Sequence, residues 1–199
     1  MTFEKHKAQN TPQHTQYFFT RHGQSQANVD EVFAGAAETP LTEKGQAGAA
    51  SEAQRLLRLA VQYDLIISST LSRARDTATI MANILGYPPL KIIYSELLVE
   101  RDFGKLVGRP WSLIENEMSE AIVEAGGESI DALSQRVIEG VHKIIELSEG
   151  KSQVLIVGHG TWYQMAETLL QGRDRTAFVE ANNLPNNMVV AIPIREILS

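Results

Sequence analysis

Short apolar runs alternate with longer amphipathic segments along the chain. The runs near 17–20, 64–69, 91–94, 153–157 and 188–192 are rich in β-branched, aliphatic and aromatic residues. Uninterrupted apolar runs of this length are typical of strands that are buried on both faces of a parallel sheet. The pattern therefore predicts five short strands.

The segments between these runs carry the spacing and the end signals of helices. Thr42 is placed as an N-cap at the start of one helix, and Gly86 stops another before a Pro-Pro pair. The predicted helices span about 42–60, 72–85, 111–124, 129–148 and 160–171. Strands that alternate with helices predict an α/β fold, a three-layer structure in which a mostly parallel sheet has helices on both faces.

The distribution of polar residues, and of the glycines and prolines that interrupt helices and strands, predicts the domain organisation. No linker or internal repeat divides 17–199, which we expect to form a single α/β domain. The stretch 95–150 is mostly helical and is predicted to form a small helical cap. Residues 1–16 are polar and are predicted to be a flexible tail without the apolar stretch of a signal peptide, which favours a cytoplasmic location.

Composition narrows the possible functions. The 199 residues are 43% hydrophobic, enough for one buried core, and the absence of cysteine excludes disulfides, thiolate metal sites and a cysteine nucleophile. The net charge of -6 argues against a nucleic-acid partner, and no apolar run is long enough to span a membrane. An anionic ligand would therefore need a local cluster of arginines.

Reactive side chains follow three of the predicted strands. Arg21 and His22 end the first strand, Ser69 ends the second and leads to Arg73, and His159 ends the fourth. Ligands of open α/β sheets bind at the carboxyl ends of the strands, so these groups are predicted to meet. Paired arginine donors match phosphate oxygens, and an imidazole can attack phosphorus. The pattern predicts a phosphate site.

Two arginines compete for this site at the start of the second helix. Arg73 and Arg75 lie two positions apart, and such positions point to nearly opposite sides of a helix. Arg73 is nearer the strand end and is predicted to enter the site. Arg75 is predicted to lie at the surface.

Five segments, taken in order, resemble the motifs of one known family. They are 21–28 (RHGQSQAN), 40–45 (PLTEKG), 69–78 (STLSRARDTA), 98–104 (LVERDFG) and 157–160 (VGHG). On these motifs, which lie within about 17–192, the chain resembles the histidine phosphatase, or phosphoglycerate-mutase-like, superfamily. It is similar to the branch with the catalytic acid in the loop before the cap helices, since Gly160 and not an aspartate follows His159.

The resemblance implies a role for each matching residue. His22 would attack the phosphoryl group, while Arg21, Arg73 and His159 would hold its oxygens. Glu100 would act as the acid and then as the base. The residues implied to bind the substrate are Ser25, Asn28, Gly35 and Gly160. The family implies no metal and no cofactor, and the expected partner is a small-molecule phosphate ester.

The assignment of the acid has alternatives in the same loop. Glu96 and Asp102 are the other carboxylates near Glu100, and Glu100 could instead form an ion pair with Arg101 or another surface cation. The side chains expected to select the ester are Phe103, Trp111, Met118 and Trp162. The family's usual arginine five positions after the second histidine is Gln164 here.

Several functions are compatible with this resemblance. We predict a metal-independent phosphomonoesterase that acts on a small phosphorylated metabolite. A cofactor-dependent phosphoglycerate mutase would have paired arginines in its cap, whereas 101–150 contains only Arg101, Arg109 and Arg136. A phosphohistidine-protein phosphatase would lack most of the cap. An inactive phospholigand-binding module is the remaining alternative.

Overall fold

The computed structural model describes residues 15–113, 118–180 and 184–198, and most of the predicted tail, 1–14, lies outside these ranges. One sheet contains the five strands β1 Gln16–Arg21, β2 Leu65–Ser69, β3 Ile93–Ser95, β4 Gln153–Gly158 and β5 Val189–Ala191. Their order is β3-β2-β4-β1-β5. The first four strands are parallel and β5 runs antiparallel to β1, so the prediction of a mostly parallel sheet is confirmed.

The helices begin and end near the predicted signals. They are α1 Gln26–Val29, α2 Glu43–Arg58, α3 Ser72–Leu85, α4 Met118–Glu124, α5 Ile130–Leu147 and α6 Gly160–Leu170. Thr42 caps α2 by accepting a hydrogen bond from the Gly45 amide, and Gly86 ends α3 with a φ of 73°. The helix predicted over 111–124 is described only as a 3-10 turn, Trp111–Leu113, and α4, because 114–117 lies outside the described ranges.

Helices cover both faces of the sheet. Phe19 and Ile156 belong to one core cluster with residues of α5 and α6, whereas Ile66 and Leu155 belong to a second cluster with residues of α2 and α3. Successive residues of a strand point to opposite faces, which explains why Leu155 and Ile156 lie in different clusters. The three-layer prediction is confirmed.

Helix α5 lies in the second half of the stretch predicted as a cap, 95–150, and packs on the sheet. Helix α5 buries Leu133, Val137, Val141 and Ile144 in the same cluster as the sheet, so α5 is one of the sheet's covering helices. An amphipathic helix has one apolar face wherever it packs, and sequence periodicity cannot identify its partner. The remaining cap contains α4 and the loops before it, with a small core of its own around Phe103.

Candidate active site

A cleft of about 260 Å³ opens at the carboxyl ends of the strands. Most of the predicted site residues line it, namely Arg21, His22, Ser25, Asn28, Gly35, Arg73, Glu100 and Gly160. His159 does not belong to the wall and is fully buried, but the centroids of the His22 and His159 rings are only 5.1 Å apart. The cleft thus joins segments that are far apart in sequence.

Strand register explains why the two histidines meet. Arg21 of β1 pairs with Gly158 of β4, and the amide of His22 donates to the carbonyl of Gly158 at 3.0 Å. Each histidine is therefore the first residue after one of two adjacent parallel strands. The sheet itself brings the imidazoles together, as the strand-end argument predicted.

The hydrogen bonding of His22 fixes its tautomer. Nδ1 lies 2.7 Å from the carbonyl oxygen of Gly23, which can only accept, so Nδ1 carries the proton and donates. Burial, followed by the charges of Arg73 and Arg21, holds the pKa of His22 well below its ordinary value of 6.5. His22 is therefore neutral at pH 7, and its Nε2 lone pair is available.

The loop that carries His22 is held from two sides. The amide of Gly23 donates to Thr77 Oγ1 at 2.9 Å, and a Cβ at Gly23 would lie 2.6 Å from the Gly45 carbonyl. Asn186 Nδ2 donates to the His22 carbonyl at 2.6 Å. Thr77 and Asn186 were not predicted as supports from the sequence, although Thr77 lies in the segment 69–78 that resembles the family.

His159 is oriented from behind by β2. Its Nε2 lies 2.8 Å from Ser69 Oγ, and the same hydroxyl accepts from the amide of Leu71 at 3.3 Å. The Ser69 hydroxyl can still donate to Nε2, in which case Nδ1 of His159 carries the proton; Nδ1 has no partner among the described residues. Burial, followed by the charge of Arg73, keeps the pKa of His159 well below 6.5.

Arg73 is almost completely buried at the start of α3, with 1% of its surface exposed. Its Nη2 donates to the carbonyl of Gly35 at 2.7 Å and its Nη1 to the carbonyl of Ala37 at 2.8 Å. Gly35 thus holds the arginine through its carbonyl, at a φ of 52° that suits glycine. Arg75 is exposed, as predicted, and its guanidinium lies over the ring of Tyr94.

Arg21 lies across the start of α6. A Cβ at Gly160 would lie 3.4 Å from Cζ of Arg21, so the absence of a side chain at Gly160 gives the guanidinium room. Arg21 Nη1 donates to the carbonyl of Leu184 at 3.4 Å. Burial lowers the pKa of Arg21 and the nearby Glu100 opposes this shift.

Glu100 is the one loop carboxylate of the three candidates that lines the cleft. Its Oε2 accepts from the amide of Thr161 at 3.3 Å, and its Oε1 from the amide of Arg101 at 2.9 Å. Glu96 is exposed, and Asp102 accepts from the amide of Gly104. Glu100 therefore lies at the N-terminus of α6, near Arg21 and Arg73.

The alternative pairing of Glu100 with the Arg101 side chain is not seen. Arg101 is fully buried, its Nε donates to the carbonyl of Glu128, and its guanidinium lies over the ring of Phe178. Within the described ranges, no ion pair joins Glu100 to Arg101.

The other predicted contact residues differ in their surroundings. Asn28 Oδ1 accepts from the amide and the hydroxyl of Ser25, which caps α1 at the edge of the cleft. Phe103 and Trp111 line the cleft, whereas Trp162 does not: it is fully buried, donates to the Leu97 carbonyl, and stacks on a core phenylalanine. The side chain of Met118 lies outside what the structure describes.

The charge of the cleft suits a phosphate dianion. Among the described lining residues, only Arg21 and Arg73 are cationic, and Glu100 is the only anion. Over the described ranges no group of three or more His, Asp or Glu side chains could hold a metal ion, and no helix is long and apolar enough to cross a membrane.

The fold and this site define a class of phosphatase-type enzyme. Residues 17–196 match the model of the histidine phosphatase superfamily (branch 1), and the chain belongs to that superfamily. The resemblance that the motifs indicated is thereby confirmed, as is the expectation of a phosphatase-type enzyme.

The proteins that this chain is similar to include a phosphoglycerate mutase and a putative phosphatase. The chain is 32% identical to a 2,3-bisphosphoglycerate-dependent phosphoglycerate mutase from Rhizobium etli, over 78% of each chain. A putative alpha-ribazole-5'-P phosphatase from Escherichia coli is 26% identical with a TM-score of 0.75, over 89% of each chain. YhfR from Bacillus stearothermophilus is 28% identical with a TM-score of 0.76, over 90% of this chain and 91% of its own.

Proposed function

We propose that this protein is a metal-independent phosphomonoesterase that acts on small phosphorylated metabolites through a phosphohistidine at His22. The observation that carries the proposal is the neutral, Nδ1-protonated imidazole of His22 in a cleft with the buried Arg73 and the half-buried Arg21. Such an imidazole is a nucleophile at neutral pH without a separate base to activate it.

In the first step, Nε2 of His22 attacks phosphorus while the bond from phosphorus to the ester oxygen breaks. Arg21, Arg73 and the Nδ1–H of His159 bind the equatorial oxygens, where the charge of the transition state is spread. Glu100, in its protonated form, transfers its proton to the departing alkoxide. The products are the free alcohol and the phosphorylated imidazole.

In the second step, Glu100 is a carboxylate and accepts a proton from water. The water oxygen attacks phosphorus, the bond from phosphorus to Nε2 breaks, and inorganic phosphate leaves. Glu100 regains its proton and His22 its lone pair. One ester and one water thus give one alcohol and one phosphate.

A phosphoglycerate mutase is the second candidate, because relatives with that name are 31% to 32% identical over about three quarters of the chain. A mutase must hold a substrate carboxylate as well as a phosphate. The cleft has no cation among its described lining residues beyond Arg21 and Arg73. This charge distribution favours the phosphatase.

One set of assays separates these functions. With EDTA present, the protein is expected to hydrolyse p-nitrophenyl phosphate and to release phosphate from metabolite esters. Interconversion of 3- and 2-phosphoglycerate in the presence of 2,3-bisphosphoglycerate, without net phosphate release, would identify a mutase. Turnover of a phosphohistidine protein alone would identify a protein phosphatase, and binding without turnover at any pH an inactive module.

A further inference from the structure

One wall of the cleft is apolar and aromatic. Phe33, Phe103 and Trp111 line it together with Val32 and Ala34. The rings of Phe33 and Phe103 pack with centroids 4.9 Å apart and are almost fully buried, whereas Trp111 has 39% of its surface exposed. Trp111 therefore has free ring surface beside the cleft.

Backbone pairing holds this wall in place. The amide of Phe33 donates to the carbonyl of Arg109 at 3.0 Å, and the amide of Gly108 donates back to the carbonyl of Phe33 at 2.9 Å. The amide of Trp111 donates to the carbonyl of Glu31 at 2.9 Å. The segment that carries Trp111 is thus tied to the loop after α1, and an aromatic surface fixed in this way is preorganised for a ligand.

Among the described lining residues, the rest of the cleft has no cation that could bind a second anion. Both arginines of the described lining lie beside His22, and the remaining polar lining includes Glu100, Thr161 and Gln164. The sequences of the undescribed internal segments 114–117 and 181–183 contain neither lysine nor arginine. A carboxylate on the substrate would face Glu100 without a counter-charge, which is unfavourable in a partly enclosed site.

We infer that the preferred substrates are phosphomonoesters of uncharged alcohols with a flat apolar body, which stacks on Trp111. This inference rests on the proposed function and specifies its substrate class. The phosphate would occupy the arginine end and the aromatic wall would contact the alcohol. Glycerate and serine esters, which carry a carboxylate, would be poor substrates.

Three esters with aliphatic leaving groups test this inference, because leaving-group chemistry then differs little among them. Benzyl phosphate is neutral and aromatic in its alcohol, glycerol 3-phosphate is neutral and lacks a ring, and 3-phosphoglycerate carries a carboxylate. We expect kcat/KM for benzyl phosphate to exceed that for glycerol 3-phosphate by about tenfold, the size of one aromatic contact. The value for 3-phosphoglycerate should be the lowest.

Variants locate the preference on Trp111. Trp111→Ala should reduce the ratio of kcat/KM for benzyl phosphate to that for glycerol 3-phosphate by about tenfold. Leu113→Ala is the matched control, since Leu113 belongs to the same 3-10 turn, is exposed and does not line the cleft. It should leave both values unchanged. An unchanged ratio in Trp111→Ala, or a preference for 3-phosphoglycerate, overturns the inference.

Failure of the proposed function would give a different result from failure of this inference. If none of the esters is hydrolysed, calorimetry on the wild-type protein measures their binding directly. Tighter binding of benzyl phosphate than of 3-phosphoglycerate would support the substrate class and reject the hydrolysis. Equal or reversed affinities would reject both.

Discussion

The hydroxyl of Ser69 lies 2.8 Å from Nε2 of His159, a residue 90 positions further along the chain. Ser69 is the last residue of β2 and His159 follows β4, and these two strands are parallel neighbours in the sheet. The hydrogen bond therefore connects the orientation of a buried imidazole to the strand pairing itself. We propose that Ser69 is the donor in this bond, so that Nδ1 of His159 carries the proton.

Ser69→Ala should lower kcat for p-nitrophenyl phosphate by about tenfold, since one hydrogen bond that orients a transition-state donor is lost. Steady-state kinetics measures this effect. Ser68→Ala is the matched control, because the Ser68 hydroxyl is also buried but donates to the Ser69 carbonyl. Equal losses in the two variants would show that Ser69 has no special role in orienting His159.

His22→Ala should abolish turnover and remove the acid-labile phosphoryl label that we expect on the wild-type protein. The reason is that no other group in the cleft is proposed to form a bond to phosphorus. Rapid quenching with labelled substrate measures the adduct. His142→Ala, which changes an exposed histidine of α5, should retain both properties. Persistent labelling of His22→Ala would contradict the nucleophile assignment.

Glu100→Gln should slow esters with poor leaving groups about a hundredfold and p-nitrophenyl phosphate much less, because only a poor leaving group needs a proton. Glutamine keeps an oxygen that can accept from the Thr161 amide. A plot of rate against leaving-group acidity measures the change in slope. Glu96→Gln, at an exposed carboxylate of the same loop, should follow the wild-type line. A parallel shift of the whole line in Glu100→Gln would argue against its role as acid.

Arg136→Met should change the same dependence of rate on leaving-group acidity, because Arg136 holds the loop that carries Glu100 in position. Arg136 of α5 donates to the carbonyl of Val99 at 2.8 Å and pairs with Glu128 through two hydrogen bonds of 2.7 and 2.8 Å. We expect a loss of about tenfold for poor leaving groups and of about 2 kcal/mol in the free energy of unfolding, since Glu128 is left half-buried and unpaired.

Arg175→Met provides the comparison for Arg136→Met. It removes the ion pair with Asp131, whose side chain is 86% exposed, and should cost less than about 1 kcal/mol without any effect on rate. Urea unfolding and the leaving-group plot measure both variants. Lost stability in Arg136→Met with an unchanged slope would limit Arg136 to a structural role.

Acid should destabilise the protein below about pH 6.5. The pKa values of His22 and His159 are lowered in the folded state, so the unfolded chain binds protons at a higher pH than the folded chain does. Stability is therefore complete above the unfolded pKa and is lost as the pH falls towards the folded values. The slope should approach about 1.4 kcal/mol per pH unit for each histidine.

Urea unfolding between about pH 7 and pH 5 measures this slope, in a range above the ordinary pKa of carboxylates. His22→Asn should reduce the slope by about one histidine's share, whereas His142→Asn should not change it, because His142 is exposed. A wild-type stability that is flat across this range would contradict burial of the two neutral imidazoles.

The sequence by itself determined the elements and most of the residues that line the cleft. Apolar runs, the Thr42 cap and the Gly86 stop are local signals, and they were sufficient to predict the strands and most helices. The meeting of His22 and His159 was predictable, because parallel strands end at the same edge of a sheet. The choice of Arg73 over Arg75 likewise needed only helical geometry.

Only the tertiary structure decided which partners these elements have. The packing of α5 on the sheet, the burial of Trp162 and the contact of Gly35 with Arg73 all join residues that are distant in sequence. The bond from Ser69 to His159 depends on strand register in the same way. Periodicity shows that a residue is buried but not which residue covers it, since that is set by long-range packing.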